Sequence, residues 1–344
     1  MSRPRSTRHW RASASPDSRP AAASGTLRSG SGGPTMLEVF DQQRLAQAVP
    51  DEIGDLLEAG HIVQFDPCPI ELPADDELET LRRQLPQQLK LKNVSYHPEA
   101  DQVKGLDENS PVAELAYRTL TTHRDRVTAF LQAIMPTLTR NMRVGTSSFR
   151  PMEERGRNLK PHASNELVHV DAGAYGATNG DRLLRFFVNV NPSVDRVWAT
   201  KGALPELLAR HGDAAGMTSA GLRRLDKGPL DKLRSSLLDG VAQIGLPLAK
   251  VLDSSPYDRA MRRFHNYMKD TPAFQRDPEG HREFRFGPFT AWMVFTDMVS
   301  HACLSGRHAL IYTAVLPLEN CRRPELAPIN LLRARQAAAP ATTR

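Results

Sequence analysis

The sequence predicts an α+β protein built on a double-stranded β-helix of the jelly-roll or cupin-like kind, with N-terminal helices and a helical insertion. Three observations carry that expectation. Apolar residues recur at helical spacing through the first third of the chain, and after Pro136 the texture changes to short runs rich in Val, Ile, Phe, Thr and Leu. One of those runs holds a histidine and an aspartate two residues apart.

From Leu37, the residues Phe40, Leu45, Val49, Ile53, Leu56 and Leu57 keep near-helical spacing up to Gly60, a stop signal, and a short strand is expected over His61 to Phe65. Asp75 to Leu89 reads as an amphipathic helix through Leu78, Leu81 and Leu85, after which the chain turns polar from Lys92 to Pro98. A longer helix, Val112 to Met135, puts Leu115, Leu120, Val127, Phe130, Leu131 and Ile134 on its buried side and ends before Pro136. Strands are expected over Val144 to Arg150, Leu167 to Asp171, Leu183 to Asn191, Trp292 to Phe295 and Ala309 to Leu316. Between the third and fourth lies the insertion, roughly 204–270, with helices near Leu230 to Leu238 and Tyr257 to Lys269; it reads as a wall or lid. One domain over 37–330 is expected, between disordered tails at 1–36 and 331–344.

The formal charge of +6 is misleading, because Arg3, Arg5, Arg8, Arg11, Arg19 and Arg28 against Asp17 alone supply five of those charges within the first 36 residues. The rest of the chain is nearly neutral. Nucleic-acid binding needs basic groups gathered on a folded face, so it is set aside. The first 36 residues have the Arg-rich, Ser-rich composition of a transit peptide, but Pro4, Pro16, Pro20 and Pro34 resist one amphipathic helix, and Met36 is an alternative start. Cys68, Cys303 and Cys321 show no paired spacing, which excludes a zinc site or disulfide framework and fits a reducing cytoplasm. No apolar run approaches the roughly 18 residues of a membrane span.

The chemical feature is Val168-His169-Val170-Asp171. Residues i and i+2 of a strand share a face, so an imidazole and a carboxylate aim at one point. Alone the motif is weak, since a chain of this composition holds about one such pair by chance. His301, after the apolar run Trp292 to Phe295 and before a second strand, is the candidate third ligand. Two histidines and a carboxylate leave the open positions that a non-haem Fe(II) oxygenase needs for a keto acid and O2. On Leu183 to Asn191 the period-2 face of Arg185 also holds Phe187, Asn189 and Asn191. An arginine buried there needs a partner, and a carboxylate of 2-oxoglutarate is a fitting one. The alternative is that the other face is the core and Arg185 reaches water or a structural carboxylate. Arg150, Asn189 and Arg307 are further candidates on the cofactor side.

These residues stand within a longer series. It runs through Leu57 to Gly60, Lys92-Asn93-Val94-Ser95-Tyr96, Ser148 to Glu153 with Gly156-Arg157, Val168 to Ala172 and Leu184 to Pro192. It continues through Arg196-Val197-Trp198, Tyr257-Asp258 with Met261, His265 and Lys269, and Phe295-Thr296-Asp297 with Ser300-His301-Ala302. In that order, over roughly Leu57 to Pro317, the chain resembles the Kdo hydroxylases, Fe(II)/2-oxoglutarate dioxygenases that oxidise carbon 3 of the sugar acid Kdo in bacterial lipopolysaccharide.

The resemblance implies iron ligation by His169, Asp171 and His301, with Arg185 and Arg150 on the carboxylates of 2-oxoglutarate. Lys92, Asn93, Ser95, Tyr96 and Arg157, with Arg155, are candidates to hold an anionic sugar or nearby phosphates. It implies a sugar or lipid-linked sugar as substrate and a cytoplasmic protein, peripheral on the inner membrane if that sugar is lipid-linked. The chain departs from the family pattern at Ala163 to Glu166, at Gly173 and at Ile311-Tyr312, positions expected to line the substrate side or the cofactor end. Two other readings stand beside it: a protein side-chain hydroxylase of the cupin-like type, and a sugar-binding β-barrel without iron. His265 is expected to be a packed or capping histidine.

Overall fold

A computed structural model describes residues 36–173, 177–222, 225 and 255–338. Its strands are β1 (Leu37–Phe40), β2 (Ile62–Phe65), β3 (Val94–His97), β4 (Gln102–Lys104), β5 (Arg143–Arg150), β6 (Arg182–Asn189), β7 (Arg196–Thr200), β8 (Arg282–Phe286), β9 (Ala291–Phe295), β10 (Ala302–Ser305) and β11 (Ala309–Leu316). Eight form one sheet in the order β1-β2-β9-β6-β11-β5-β3-β4, and β10-β7-β8 form a second. All neighbours are antiparallel except β1 and β2.

Register decides what faces what. Phe187 of β6 stands opposite Ile311 of β11 and Trp292 of β9, and Ile311 stands opposite Ser148 of β5. Because side chains alternate, Arg185, Phe187, Ser148 and Arg150 share one face, while Phe186, Phe149 and Tyr312 share the other. The first face meets the small sheet through stacked rings. Trp292 lies 5.1 Å from Phe187 and 4.0 Å from Phe286 of β8, and Trp198 of β7 packs edge-on to Phe187 at 4.7 Å. The helices are α1 (Gln42–Gln47), α2 (Glu52–Glu58), α3 (Asp75–Gln88), α4 (Ala113–Ile134), α5 (Leu204–His211), α6 (Pro256–Asp270), α7 (Pro272–Arg276) and α8 (Pro328–Ala337). Long α4 covers the second face of the large sheet: Phe130 meets Phe186 at 5.9 Å, and the Thr128 and Tyr312 hydroxyls share a hydrogen bond of 2.9 Å.

Several expectations hold at the level of elements. Leu78, Leu81 and Leu85 are buried on α3, and β5, β6, β9 and β11 coincide with expected strands to within a residue or two. Others do not. The run from Leu37 opens as a strand and then two short helices, because Phe40 pairs in register with Phe65, and Val49 is 63% exposed. The polar stretch after Lys92 is the strand β3, held to β5 by backbone pairing. Residues past 331 continue as α8, with Leu332 fully buried and the Arg335 guanidinium donating to the Met217 carbonyl, so that tail is ordered to Ala337. The helix expected near Leu230 to Leu238 and the tail 1–35 lie outside the described residues.

His123, on α4, is buried and its Nε2 has no hydrogen-bond partner; burial pulls its pKa down to about 3. The unfolded chain takes up that proton near pH 6.5 and the fold refuses it, so stability falls as pH drops from 6.5 toward 3, by about 1.4 kcal/mol per unit. Replacing His123 with Leu is expected to shrink the difference in urea stability between pH 7 and pH 5 by about 2 kcal/mol. An unchanged difference would show that His123 titrates normally.

Candidate metal centre and its cavity

His169 and His301 are partners in an isolated antiparallel β-bridge. His169 N donates to His301 O at 3.1 Å, and His301 N donates to His169 O at 2.8 Å. Two residues that exchange both hydrogen bonds present their side chains on the same side. The expected strand over Leu167 to Asp171 is therefore a single bridge, and other groups hold the segment. Gln275 of α7 accepts from Val168 N at 3.0 Å and donates to Val168 O at 2.9 Å; His265 of α6 donates through Nδ1 to Val170 O at 2.7 Å. Asp171 N donates to Thr296 O at 2.7 Å. Asp258, in the capping box of α6, receives Thr178 N, Thr178 Oγ1 and Asn179 N, which fixes Thr178 and Asn179 ahead of β6.

The ligand atoms of His169, Asp171 and His301 all lie within 4.8 Å of one another, and all three residues are buried. Each imidazole carries its proton on Nδ1, because Nδ1 of His169 is 2.7 Å from the Leu167 carbonyl and Nδ1 of His301 is 3.0 Å from that of Val299. Each Nε2 thus turns a lone pair toward Asp171, at 3.5 Å from Oδ1 and 3.9 Å from Oδ2 respectively. Burial pulls the two imidazoles down to about 3 and about 4 against the pull of Asp171, so both are neutral at physiological pH. Burial alone would raise the Asp171 carboxyl, but the Arg185 guanidinium, the strongest opposing charge, outweighs it and holds it well below the usual carboxylate range. Neutral imidazoles with fixed tautomers and one ionised carboxylate suit a divalent cation. Asp171 Oδ2, buried without a hydrogen bond, fits the same ion.

The three residues open on a cavity of about 270 Å³ lined by Lys92, Arg150, Asn165, Phe187, Trp198, His265, Lys269 and Cys303 among others. Arg185 lines it as well, its Nη2 2.9 Å from Asp171 Oδ2, an ion pair formed with the ligand set itself. Arg150 lies 3.4 Å from Glu154, a buried carboxylate that also takes Arg196 at 3.3 Å and Arg157 at 3.8 Å. The Nε atoms of Arg150 and Arg185 are buried without partners, which leaves this wall short of anions.

Not every candidate is here. Asn189 donates from Nδ2 to the carbonyls of Val194, Phe286 and Gly287, which makes it a joint between β6 and β8. Arg307 is exposed and lines a separate cleft with Arg82, Met152 and His308. Tyr96 points toward α4, donating to Asp101 and accepting from Arg124 at 2.9 Å. Ser95 accepts from Ser148 at 2.8 Å, and neither it, Asn93 nor Arg157 lines the cavity, so of the five substrate candidates only Lys92 does. Of the divergent positions, Ala163 and Asn165 line the cavity, whereas Tyr312 belongs to the α4 interface. His265 packs as expected, its ring 5.0 Å edge-on to His169, and its Nδ1 also donates to Val170 O. Sequence reasoning passed over Lys269 as a site residue, although it stood in the series that carries the family resemblance and four residues after His265 on α6.

Two histidines and a carboxylate in a cation-lined pocket are the donor set of the non-haem iron oxygenases. Residues 41–339 match the family model described as 3-deoxy-D-manno-oct-2-ulosonic acid (Kdo) hydroxylase, and the chain belongs to that family. No curated protein sequence matches it. Among solved structures, it is similar to an apo Kdo hydroxylase, KdoO, described as a non-heme Fe(II) alphaketoglutarate dependent dioxygenase. That likeness has 26% identity and a TM-score of 0.70 and covers 87% of this chain and 95% of that one. KdoO in complex with alphaketoglutarate and Fe(III) is similar at 25% identity and a TM-score of 0.68, covering 87% and 95%. A cobalt(II) complex at 24% identity and a TM-score of 0.70, covering 90% and 99%, shares the fold.

Purified protein is expected to take up one divalent ion per chain. His169→Ala, Asp171→Ala and His301→Ala should each abolish uptake, and Gln275→Leu, which frees Val168 on both sides, should weaken it about 10- to 100-fold. Cobalt(II) titration followed by visible absorption measures this. Full uptake by the ligand variants would place the ion elsewhere.

Proposed function

We propose that this protein is an Fe(II)- and 2-oxoglutarate-dependent dioxygenase that hydroxylates Kdo, at carbon 3, within a lipopolysaccharide precursor. The observation that carries the reading is the buried His169–Asp171–His301 set opening on a cavity lined by Lys92, Arg150, Arg185 and Lys269. We read the two sheets and the bridge that joins His169 to His301, just before β10, as a double-stranded β-helix, with residues 37–337 as one catalytic domain.

His169, Asp171 and His301 would hold Fe(II), and with 2-oxoglutarate and O2 bound the iron supplies the oxidising power for an unactivated C–H bond. The protein's own work is binding and exclusion. Arg150 and Arg185 are assigned to the carboxylates of 2-oxoglutarate, for which their partnerless Nε donors are suited. Phe187 and Trp198 form the apolar wall, and Trp198 stacks on the His301 ring at 5.3 Å, fixing its plane. Those walls keep water and stray groups from the metal. A sugar that is itself an acid suits a pocket in which cations outnumber carboxylates.

No helix among the described residues is long and apolar enough to cross a membrane. A lipid-linked substrate then calls for peripheral docking on the cytoplasmic face of the inner membrane, to which the six arginines of residues 1–36 would contribute about 1 kcal/mol each on anionic lipid. Deleting residues 1–36 is expected to lower recovery on anionic vesicles and leave turnover of a soluble analogue intact; equal recovery would remove the tail from the account.

The deciding experiment is anaerobic addition of Fe(II) and 2-oxoglutarate to the apo-protein, watching for weak visible absorption, then oxygen and a Kdo-bearing lipid with succinate and hydroxylated sugar as products. Absorption lost in His169→Ala and Asp171→Ala, with product from wild type alone, is expected. Arg150→Met should raise the KM for 2-oxoglutarate at least about 10-fold through loss of a charge-assisted pair. A folded wild-type protein without absorption or product would sink the assignment in favour of a sugar-binding role.

A further inference from the structure

The cavity's cations fall into two groups according to what they touch. Arg150 and Arg185 lie against the carboxylates of Glu154 and Asp171. Lys92 and Lys269 touch only main chain. The Lys92 ammonium donates to Ala163 O at 2.8 Å. The Lys269 ammonium, on a residue only 6% exposed, donates to Ser164 O at 2.8 Å and His162 O at 3.2 Å. Among the described residues no carboxylate stands within ion-pair distance of either lysine.

All three carbonyls belong to one short segment, the turn Pro161–Ala163 and the residue after it. Lys92 reaches it from the residues before β3, and Lys269 from the last turn of α6. Burial, first, and then the Arg150 guanidinium draw Lys92 down to about 8 against the pull of Glu154, with Lys269 near enough to be among the weaker repelling charges; burial does the same to Lys269 against the pull of Asp171. Both remain charged at neutral pH. An ammonium has three donors, of which Lys92 uses one and Lys269 two, so Lys92 keeps two and Lys269 one for a ligand. Two positive charges, one buried and one half-buried, whose hydrogen bonds go only to neutral carbonyls are stabilised by an anion placed between them.

We propose that Lys92 and Lys269 form the seat of the substrate's own carboxylate, separate from the arginine wall that takes the cosubstrate, so that the enzyme selects an acidic sugar. The inference rests on the Kdo hydroxylase reading and deepens it. In a 2-ulosonic acid the carboxylate is carbon 1, two bonds from carbon 3, so anchoring it fixes the carbon to be oxidised within the cavity that holds the metal ligands. Lys269 thereby joins Lys92 as a binding residue, and the 161–164 segment, whose carbonyls the lysines now hold, becomes the part of the wall that senses the acid.

The test is calorimetric titration of the full-length apo-protein with free Kdo and with Kdo methyl ester, which lacks the charge, for wild type, Lys92→Met, Lys269→Met and Lys269→Arg. Wild type is expected to bind the acid about 10- to 100-fold more tightly than the ester. Each Met variant should lose that preference without weakening ester binding, Lys269→Arg should keep part of it, and 2-oxoglutarate affinity should move less than twofold. Equal binding of acid and ester by wild type overturns the seat. So does an acid preference that survives both Met variants, or a loss confined to 2-oxoglutarate. If Lys269→Met does not fold, Lys92→Met and Lys269→Arg decide. Kdo-lipid turnover by a wild type indifferent to the ester sinks the seat alone, whereas an intact acid preference without turnover sinks the hydroxylase reading and supports the seat.

Discussion

The backbone pair between His169 and His301 is the constraint on which the rest of the site depends. These residues are 132 positions apart, and their mutual hydrogen bonds of 3.1 and 2.8 Å bring two imidazoles to one side of the chain with ring centroids 4.6 Å apart. A β-bridge does this without help from side-chain chemistry, because residues directly opposite in an antiparallel pair must point the same way. Asp171, two residues on, then falls on the same side by the period of extended backbone. What a ladder would otherwise supply to this short segment comes from Gln275 and His265, so the metal ligands are positioned by the insertion between β7 and β8 as much as by the sheets.

Burial sets the chemistry of the centre. It keeps His169 and His301 neutral, and it would also neutralise Asp171 if Arg185 were not 2.9 Å away. One arginine therefore keeps the carboxylate anionic, at the cost of placing a positive charge beside a cation site. Glu154 plays the reciprocal part for Arg150, Arg157 and Arg196, offsetting part of the repulsion among three guanidinium groups, of which Arg150 lines the cavity. The excess of positive charge that remains is what an anionic cosubstrate and an acidic sugar would neutralise.

The helix α6 is more than a cover. One face is fixed in the interior by Phe264 and Met268, its N-terminal capping box holds Thr178 and Asn179, and its last turns carry His265 and Lys269 into the cavity. A residue pair four apart on a helix shares a face, so a histidine that supports the ligand segment and a lysine that reaches the 161–164 turn come from a single rigid element.

Periodicity and spacing made much of this protein legible. The leucines of α3, the long α4, the apolar strands β6, β9 and β11 and the pairing of His169 with Asp171 all follow from local patterns, since each depends on which residues recur at 2 or 3.6 positions; His301 joined that pair through the family resemblance. Strands β1, β3, β4, β7, β8 and β10 were not legible, being short or polar, with partners far away in sequence that alone make them strands. The sequence also indicated that Arg185 needs a partner, but only the tertiary structure decided that the partner is Asp171, that Asn189 is a joint and Tyr96 a buried residue turned toward α4, and that Lys269 reaches the cavity. Local pattern records which face a side chain takes; which charge it meets there depends on chain segments more than a hundred residues away.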